Sequence, residues 1–247
     1  MTLKNIDTLF EDPDYLIINK PSGLLVIPDR YVREKENLRE ILKKKQGEIF
    51  VVHRLDRDAS GVICFAKNAE AHRELNNRFE NRTVKKIYNV LVKGVPDPAS
   101  GTIDLPLSLS TTEPGTVWVD TQKGKKSVTD YRVIKSFNAT LTLSLVEALP
   151  LTGRQHQIRV HFQNIGHPLV VDKLYSSDRG IYLSDFKRGY KINYSKEERP
   201  LIGRLSLHAR QLAFHHFRTN DQLKVDASLP KDFEVTIKLL EKYSKAS

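Results

Sequence analysis

Val51-Val-His-Arg-Leu-Asp-Arg-Asp-Ala-Ser-Gly-Val-Ile-Cys-Phe-Ala66 sets four charged residues and a histidine between two apolar segments. Val62–Ala66 is an unbroken apolar run of strand length, which suits a strand covered on both faces. Asn68 then stands at the cap position of a helix whose Ala71, Leu75 and Phe79 fall on one side. Upstream, Tyr15-Leu-Ile-Ile-Asn19 lies between Asp12-Pro-Asp14 and Pro21-Ser-Gly23 and reads as a strand between turns. Leu24–Ile27 is a second apolar run, stopped by Pro28. The charged stretch 29–48 carries Leu38, Ile41 and Leu42 at helical spacing, which predicts a surface helix with a thin apolar stripe.

Downstream, Tyr88, Val90 and Val92 alternate with Asn89, Leu91 and Lys93 in a strand ended by Gly94. Residues 139–146 predict another strand, with Leu141, Leu143 and Leu145 on one face and Thr140, Thr142 and Ser144 on the other. A last helix is expected over about 232–242, with Phe233, Ile237 and Leu240 inward. Strands and helices mix without the regular rhythm of a parallel sheet. The expected class is α+β: a single domain over 1–247, with a largely antiparallel mixed sheet flanked by helices.

The 247 residues carry 40 Lys+Arg against 30 Asp+Glu, a net charge of +10, which suggests a polyanionic partner. Cys64, the one cysteine, can form neither an intrachain disulfide nor a thiolate zinc cage. No apolar run reaches the length of a membrane span, and residues 1–14 lack the apolar stretch of a secretory signal, so a cytoplasmic location is expected. The phosphate-cradling glycine motifs, the paired-histidine zinc motif and the serine-hydrolase elbow are all missing from the sequence. Lys123-Gly-Lys-Lys-Ser127 lacks the first glycine of a phosphate loop and reads as a solvated basic turn.

Taken alone, 51–61 is a charged loop of the kind that is usually just solvated. A second segment shifts the balance. Leu151-Thr-Gly-Arg-Gln-His-Gln-Ile-Arg-Val-His-Phe162 reads as a helix start, with Thr152 and Gln155 at capping-box spacing and Gly166 as the stop. Ile158, Phe162 and Ile165 would form its buried stripe, and His156, Arg159 and Gln163 a polar face. Read as a strand instead, the segment would group Arg159 with Gln155, Gln157 and His161. Either way one arginine projects from a rigid element, as positioning a carboxylate or phosphate requires.

The His53-Arg-Leu-Asp56 loop, with Asn19-Lys-Pro-Ser-Gly23, Lys86-Ile-Tyr88, Thr152-Gly-Arg-Gln-His-Gln-Ile-Arg159, Gly166-His-Pro168 and Leu207-His-Ala209, resembles the RluA-type pseudouridine synthase family. These blocks run in the family's order over about residues 9–217. The resemblance implies a catalytic domain with its cleft across the sheet, and an isomerase that turns a chosen uridine in RNA into pseudouridine. It implies no metal and no organic cofactor. Asp56 would be the catalytic carboxylate, attacking the sugar or acting as the base on the way to a glycal. Arg54 would help extrude the base or hold a phosphate, Tyr88 would lie against the uracil, and Arg159 would pair with Asp56. A guanidinium beside a buried carboxylate keeps it ionised and therefore competent.

Ala59 stands where the family commonly has Thr, Val171 where it often has Gly, and His216-Phe217 where it usually has His-Pro. With a first strand by about residue 15, no S4-type RNA-binding domain is expected, and the target would be a compact stem-loop of tRNA or ribosomal RNA met by a monomer. The rival readings are a basic RNA-binding protein without activity, and a hydrolase pairing Asp56 with an acid such as Glu147. Tyr88 as strand core and Lys20 as a brace of the fold are the bland alternatives for those residues.

Overall fold

The computed structural model describes residues 6–29, 32, 34–177, 179–191, 195 and 197–244. In chain order the first elements are β1 (Asp7–Glu11), β2 (Tyr15–Lys20), α1 (Leu38–Gln46), β3 (Phe50–Val51), β4 (Ser60–Ala66), α2 (Ala69–Glu80), β5 (Lys85–Lys93) and β6 (Ser100–Asp104). There follow β7 (Leu107–Leu109), β8 (Val117–Val119), β9 (Val128–Asn138), β10 (Thr142–Pro150), α3 (Gln157–Asn164), β11 (Leu207–His215), β12 (Gln222–Asp226) and α4 (Lys231–Tyr243). The chain packs as two compact units, Met1–Ile87 with His208–Ser228, and Tyr88–Leu207 with Leu229–Ser247.

In the first unit the strand order is β1-β2-β4-β11-β12, with β3 also on β4. Every pairing there is antiparallel except β11 on β4, which is parallel through His208–Ser60 and Ala209–Gly61. All seven residues of β4 are buried, as the apolar run requires. Tyr15, Ile17, Cys64, Leu75 and Phe214 share its core. Asn68 caps α2 by accepting from the Ala71 amide at 2.9 Å, and Ala71 and Leu75 are the buried residues of that helix. The helix expected over 29–48 is a correction: α1 begins only at Leu38, because Asn37 is extended (φ −142°) and caps it through Glu40 N. Leu38 N and Arg39 N bond instead to the carbonyls of Leu25 and Val26. Residues 30, 31 and 33 of that expectation lie outside the described residues.

In the second unit the strands run β5-β10-β9-β6, all antiparallel, with a separate β7–β8 hairpin. β10 starts at Thr142 and continues to Pro150, later than the 139–146 that alternation predicts. The face expected to be polar is covered too: Ser144 is fully buried and donates to Gly94 O at 2.8 Å. Phe233 and Leu240 of α4 pack with Leu91, Phe137 and Leu143. Predominantly antiparallel pairing, with four α-helices among the described residues, makes the class α+β, as the sequence predicts.

Candidate active site

The loop between β3 and β4 is held by its backbone. Lys20, at the end of β2 and fully buried, donates from Nζ to the carbonyls of Leu24 (2.7 Å), Arg57 (2.8 Å) and Pro21 (2.9 Å). Gly23 N also reaches Arg57 O at 2.9 Å, and Ser22 Oγ donates to Asp58 O at 2.6 Å. The Asn-Lys-Pro-Ser-Gly block is therefore a clamp on the Arg54–Asp58 loop, and Lys20 is a brace. At the loop's start, His53 Nε2 accepts the Cys64 amide at 3.0 Å and its ring stacks on Phe79. Burial, with a smaller push from Lys86, drives His53 down to about 3, so it is neutral and structural.

At the loop's end, Ser60 Oγ meets His208 Nδ1 at 3.0 Å, and His208 Nε2 lies 3.3 Å from Ala227 O. Gly61 sits at φ +114°, and a Cβ there would fall 2.1 Å from Ala209 O, so only glycine permits this approach of β4 to β11. The Ser60-Gly61 and Leu207-His-Ala209 blocks are thus two sides of one contact. Between these anchors Leu55 and Ala59 are buried, Asp56 is half-buried and Arg54 is exposed. Backbone fixed on three sides and a carboxylate partly open to solvent is how a fold presents a reacting group.

In the second unit Tyr88 is half-buried on β5, opposite Ala148 of β10. Arg159 lies on α3, and its polar-face placement is a correction: Arg159 is 7% exposed, and every residue from Gln157 to Phe162 is buried. Its Nε and Nη2 donate to Asp172 Oδ2 and Oδ1 at 2.8 and 2.7 Å. The guanidinium also covers the Tyr175 ring at 4.9 Å. Asp172 is 1% exposed and also accepts the amides of Leu174 and Tyr175. Bidentate geometry with further amide donors to the carboxylate is what makes a buried pair tolerable. Asp172 is a partner that the sequence reading misses. The available signal was compositional: it is the first acid after Glu147, downstream of the arginine on this helix.

The expected capping box at Thr152 and Gln155 is also corrected. His156 is the N-cap, at φ +53°, with no side-chain cap bond. Thr152 Oγ1 donates to Gln157 Oε1 at 2.7 Å and accepts Val128 N at 2.9 Å, while Gln157 Nε2 donates to Val128 O and Thr129 Oγ1. The left-handed turn is held by His156 Nδ1 against Tyr175 OH at 2.8 Å. His161 meets Leu105 O, and burial lowers its pKa. Glu147 is ion-paired with Arg132 at 3.2 Å on neighbouring strands. Among the described residues no group of three His, Cys, Asp or Glu could hold a metal ion, and no helix is long and apolar enough to cross a membrane.

Residues 14–164 match the family described as RNA pseudouridylate synthase. The dual-specificity RNA pseudouridine synthase RluA of Vibrio cholerae is 35% identical over 215 residues, covering 87% of this chain and 79% of that protein. RluA of Escherichia coli K12 is 35% identical over 225 residues, covering 91% and 93%. Among solved structures, human RNA Pseudouridylate Synthase Domain Containing 4 superposes with a TM-score of 0.68 at 26% identity, covering 95% of this chain and 93% of that one.

Proposed function

The chain belongs to the RNA pseudouridylate synthase family, and we propose that it isomerises a uridine in a tRNA or ribosomal RNA stem-loop, with Asp56 as the catalytic carboxylate. Arg54, Tyr88 and Arg159 are the substrate-binding residues of this reading. The observation that carries it is the half-buried carboxylate of Asp56 on a loop clamped by Lys20, Ser22 and Gly23.

The reaction breaks N1–C1′, turns the uracil and joins C5 to C1′; N1 ends with a proton and C5 loses one, so the product is an isomer. Asp56 serves it by attacking C1′, or by removing a sugar proton to leave a glycal, and both routes need the ionised acid. The base must leave its stack to expose C1′ and C5, at a cost of about a few kcal/mol. A ring such as that of Tyr88 recovers roughly 1–3 kcal/mol by stacking. Arg54, exposed on the loop, suits a phosphate or the vacated stack.

The test is pseudouridine mapping on tRNA and ribosomal RNA treated with the protein and with Asp56→Asn. The parent should add pseudouridine at defined positions, and the variant should lose at least about a thousandfold in rate while binding RNA nearly as well. Undiminished modification by Asp56→Asn would remove Asp56 from the chemistry.

A further inference from the structure

Trp118, the only tryptophan of the chain, stands 53% exposed on β8. It lies opposite Ser108 in the β7–β8 hairpin, whose other face sends Leu107 and Val117 into a core with Val160 and Tyr175. Cross-strand partners share a face, so the indole is on the uncovered side. An open indole offers a flat face on which a base can stack.

The residues that follow it form a built turn. Asp120 Oδ1 accepts the amides of Gln122 (3.1 Å) and Lys123 (2.9 Å), and Oδ2 accepts Ser108 Oγ at 3.0 Å. Gly124 N donates to Asp120 O, and Asp120 N to Pro106 O, both at 2.9 Å. A Cβ on Gly124 would lie 2.3 Å from Asp120 O and 2.8 Å from Pro106 C, so no side chain fits there. Lys125 and Leu107 exchange both backbone bonds, at 2.9 and 3.0 Å. Arg154, from the Thr-Gly-Arg-Gln block before α3, donates to Lys126 O at 3.3 Å. Lys123, Lys125, Lys126 and Arg154 are all exposed. The nearby acid, Asp120, already serves the turn's own donors, which lower its pKa.

The geometry points to this hairpin face as an RNA grip, in which Trp118 stacks on an unpaired base while Lys123 and Lys126 of the following turn, with Arg154, hold the adjoining phosphates. A rigid cationic turn beside an open aromatic face is the combination that single-stranded RNA rewards: phosphate contacts for affinity, a flat ring for the base. Lys123, Lys126 and Arg154 outnumber Asp120, the acid built into the turn, which favours a polyanion. The inference rests on the RNA-modifying reading and adds a contact that none of the residues assigned to catalysis makes.

Because Trp118 is unique, its fluorescence reports this face alone. With bulk tRNA as the probe, emission should shift saturably, with a midpoint that matches filter retention and weakens with salt. Trp118→Ala should weaken retention by about tenfold, with Trp118→Phe restoring most of it. Changing Lys123 and Lys126 together to Gln should lower the log–log salt slope by about 1.4. Retention and pseudouridine formation with no change in Trp118 emission would overturn the grip and leave the proposed function standing. Loss of RNA retention altogether in the parent protein would overturn both. If Trp118→Ala instead abolishes a concentration-dependent self-association and leaves RNA retention unchanged, the face is a protein interface and the grip is wrong.

Discussion

Arg54–Asp58 and Thr152–Arg159 are both short polar segments set among apolar ones, and each unit holds its segment by opposite means. In the first unit the grip is on main-chain carbonyls, through Lys20 and Ser22, and the acid side chain is left half open. In the second the charged side chain is itself buried: Arg159 is held by Asp172 and covers the Tyr175 ring. A braced backbone with an open carboxylate can change partners and protonation during a reaction. A guanidinium locked at two nitrogens defines a fixed electrostatic reference and holds α3 to the 172–177 turn. Stability and chemistry should therefore separate between the two segments under mutation.

The largest stability effect is expected at Asp172. Asp172→Ala removes the bidentate acceptor of a buried guanidinium and should cost about 3–5 kcal/mol in urea unfolding. Asp56→Ala, at a half-buried position, should stay within roughly 0.5–1 kcal/mol. Replacing the pair together, Arg159→Met with Asp172→Leu, should recover most of the lost stability, since a well-packed apolar pair is often as good as an ion pair. Equal destabilisation by Asp56→Ala and Asp172→Ala would erase the contrast.

Lys20→Met comes next. It removes one cation from three carbonyls at once, and each buried polar group left unmet costs about 1–3 kcal/mol unless water reaches it. Because Gly23 N still bonds Arg57 O, the loop should loosen rather than unfold. Expected outcomes are a stability loss of about 1–3 kcal/mol and faster amide exchange over 54–59. Pseudouridine formation should fall more than the stability loss explains. Unchanged exchange in the loop would show that Lys20 braces only the core.

These contrasts also explain what could be read in advance. The strand at 62–66 and α2 were legible because burial on both faces and an Asn cap are local signals, and Lys20 was already named as a brace. The Arg159 segment was read as rigid and helical, yet its start and its partner were missed. Thr152 chose Gln157 over Gln155, and His156 adopted a left-handed backbone only because Tyr175, far along the chain, holds its ring. Nothing within a few residues of Arg159 encodes Asp172. The charged 29–48 stretch failed in the opposite direction: helix spacing was present, but Asn37 and the pairing of Leu38 and Arg39 with Leu25 and Val26 set the boundary.

The smallest effect is a slope. His53, half-buried at the start of the braced loop with its ring packed on Phe79, has a folded pKa pushed down to about 3 against 6.5 for the ordinary side chain. The unfolded chain thus binds a proton that the folded chain refuses. The stability from neutral His53 is fully present above pH 6.5 and is lost as pH falls toward 3. His161, also lowered by burial, adds to the same slope. Asp14 and Glu11, held low by Arg218 and Lys67 respectively, contribute only in the carboxylate range below. Between pH 6.5 and 5 the histidines therefore dominate, and each full proton is worth about 1.4 kcal/mol per pH unit, a group half to fully protonated when unfolded giving about 1. His53→Gln keeps an acceptor for the Cys64 amide and cannot take the proton. Urea unfolding across that window should show a flatter dependence in the variant by about 1 kcal/mol per pH unit. A slope that does not change would mean that His53 protonates in place, and the start of the loop would then be less firmly anchored than its end at Ser60 and Gly61.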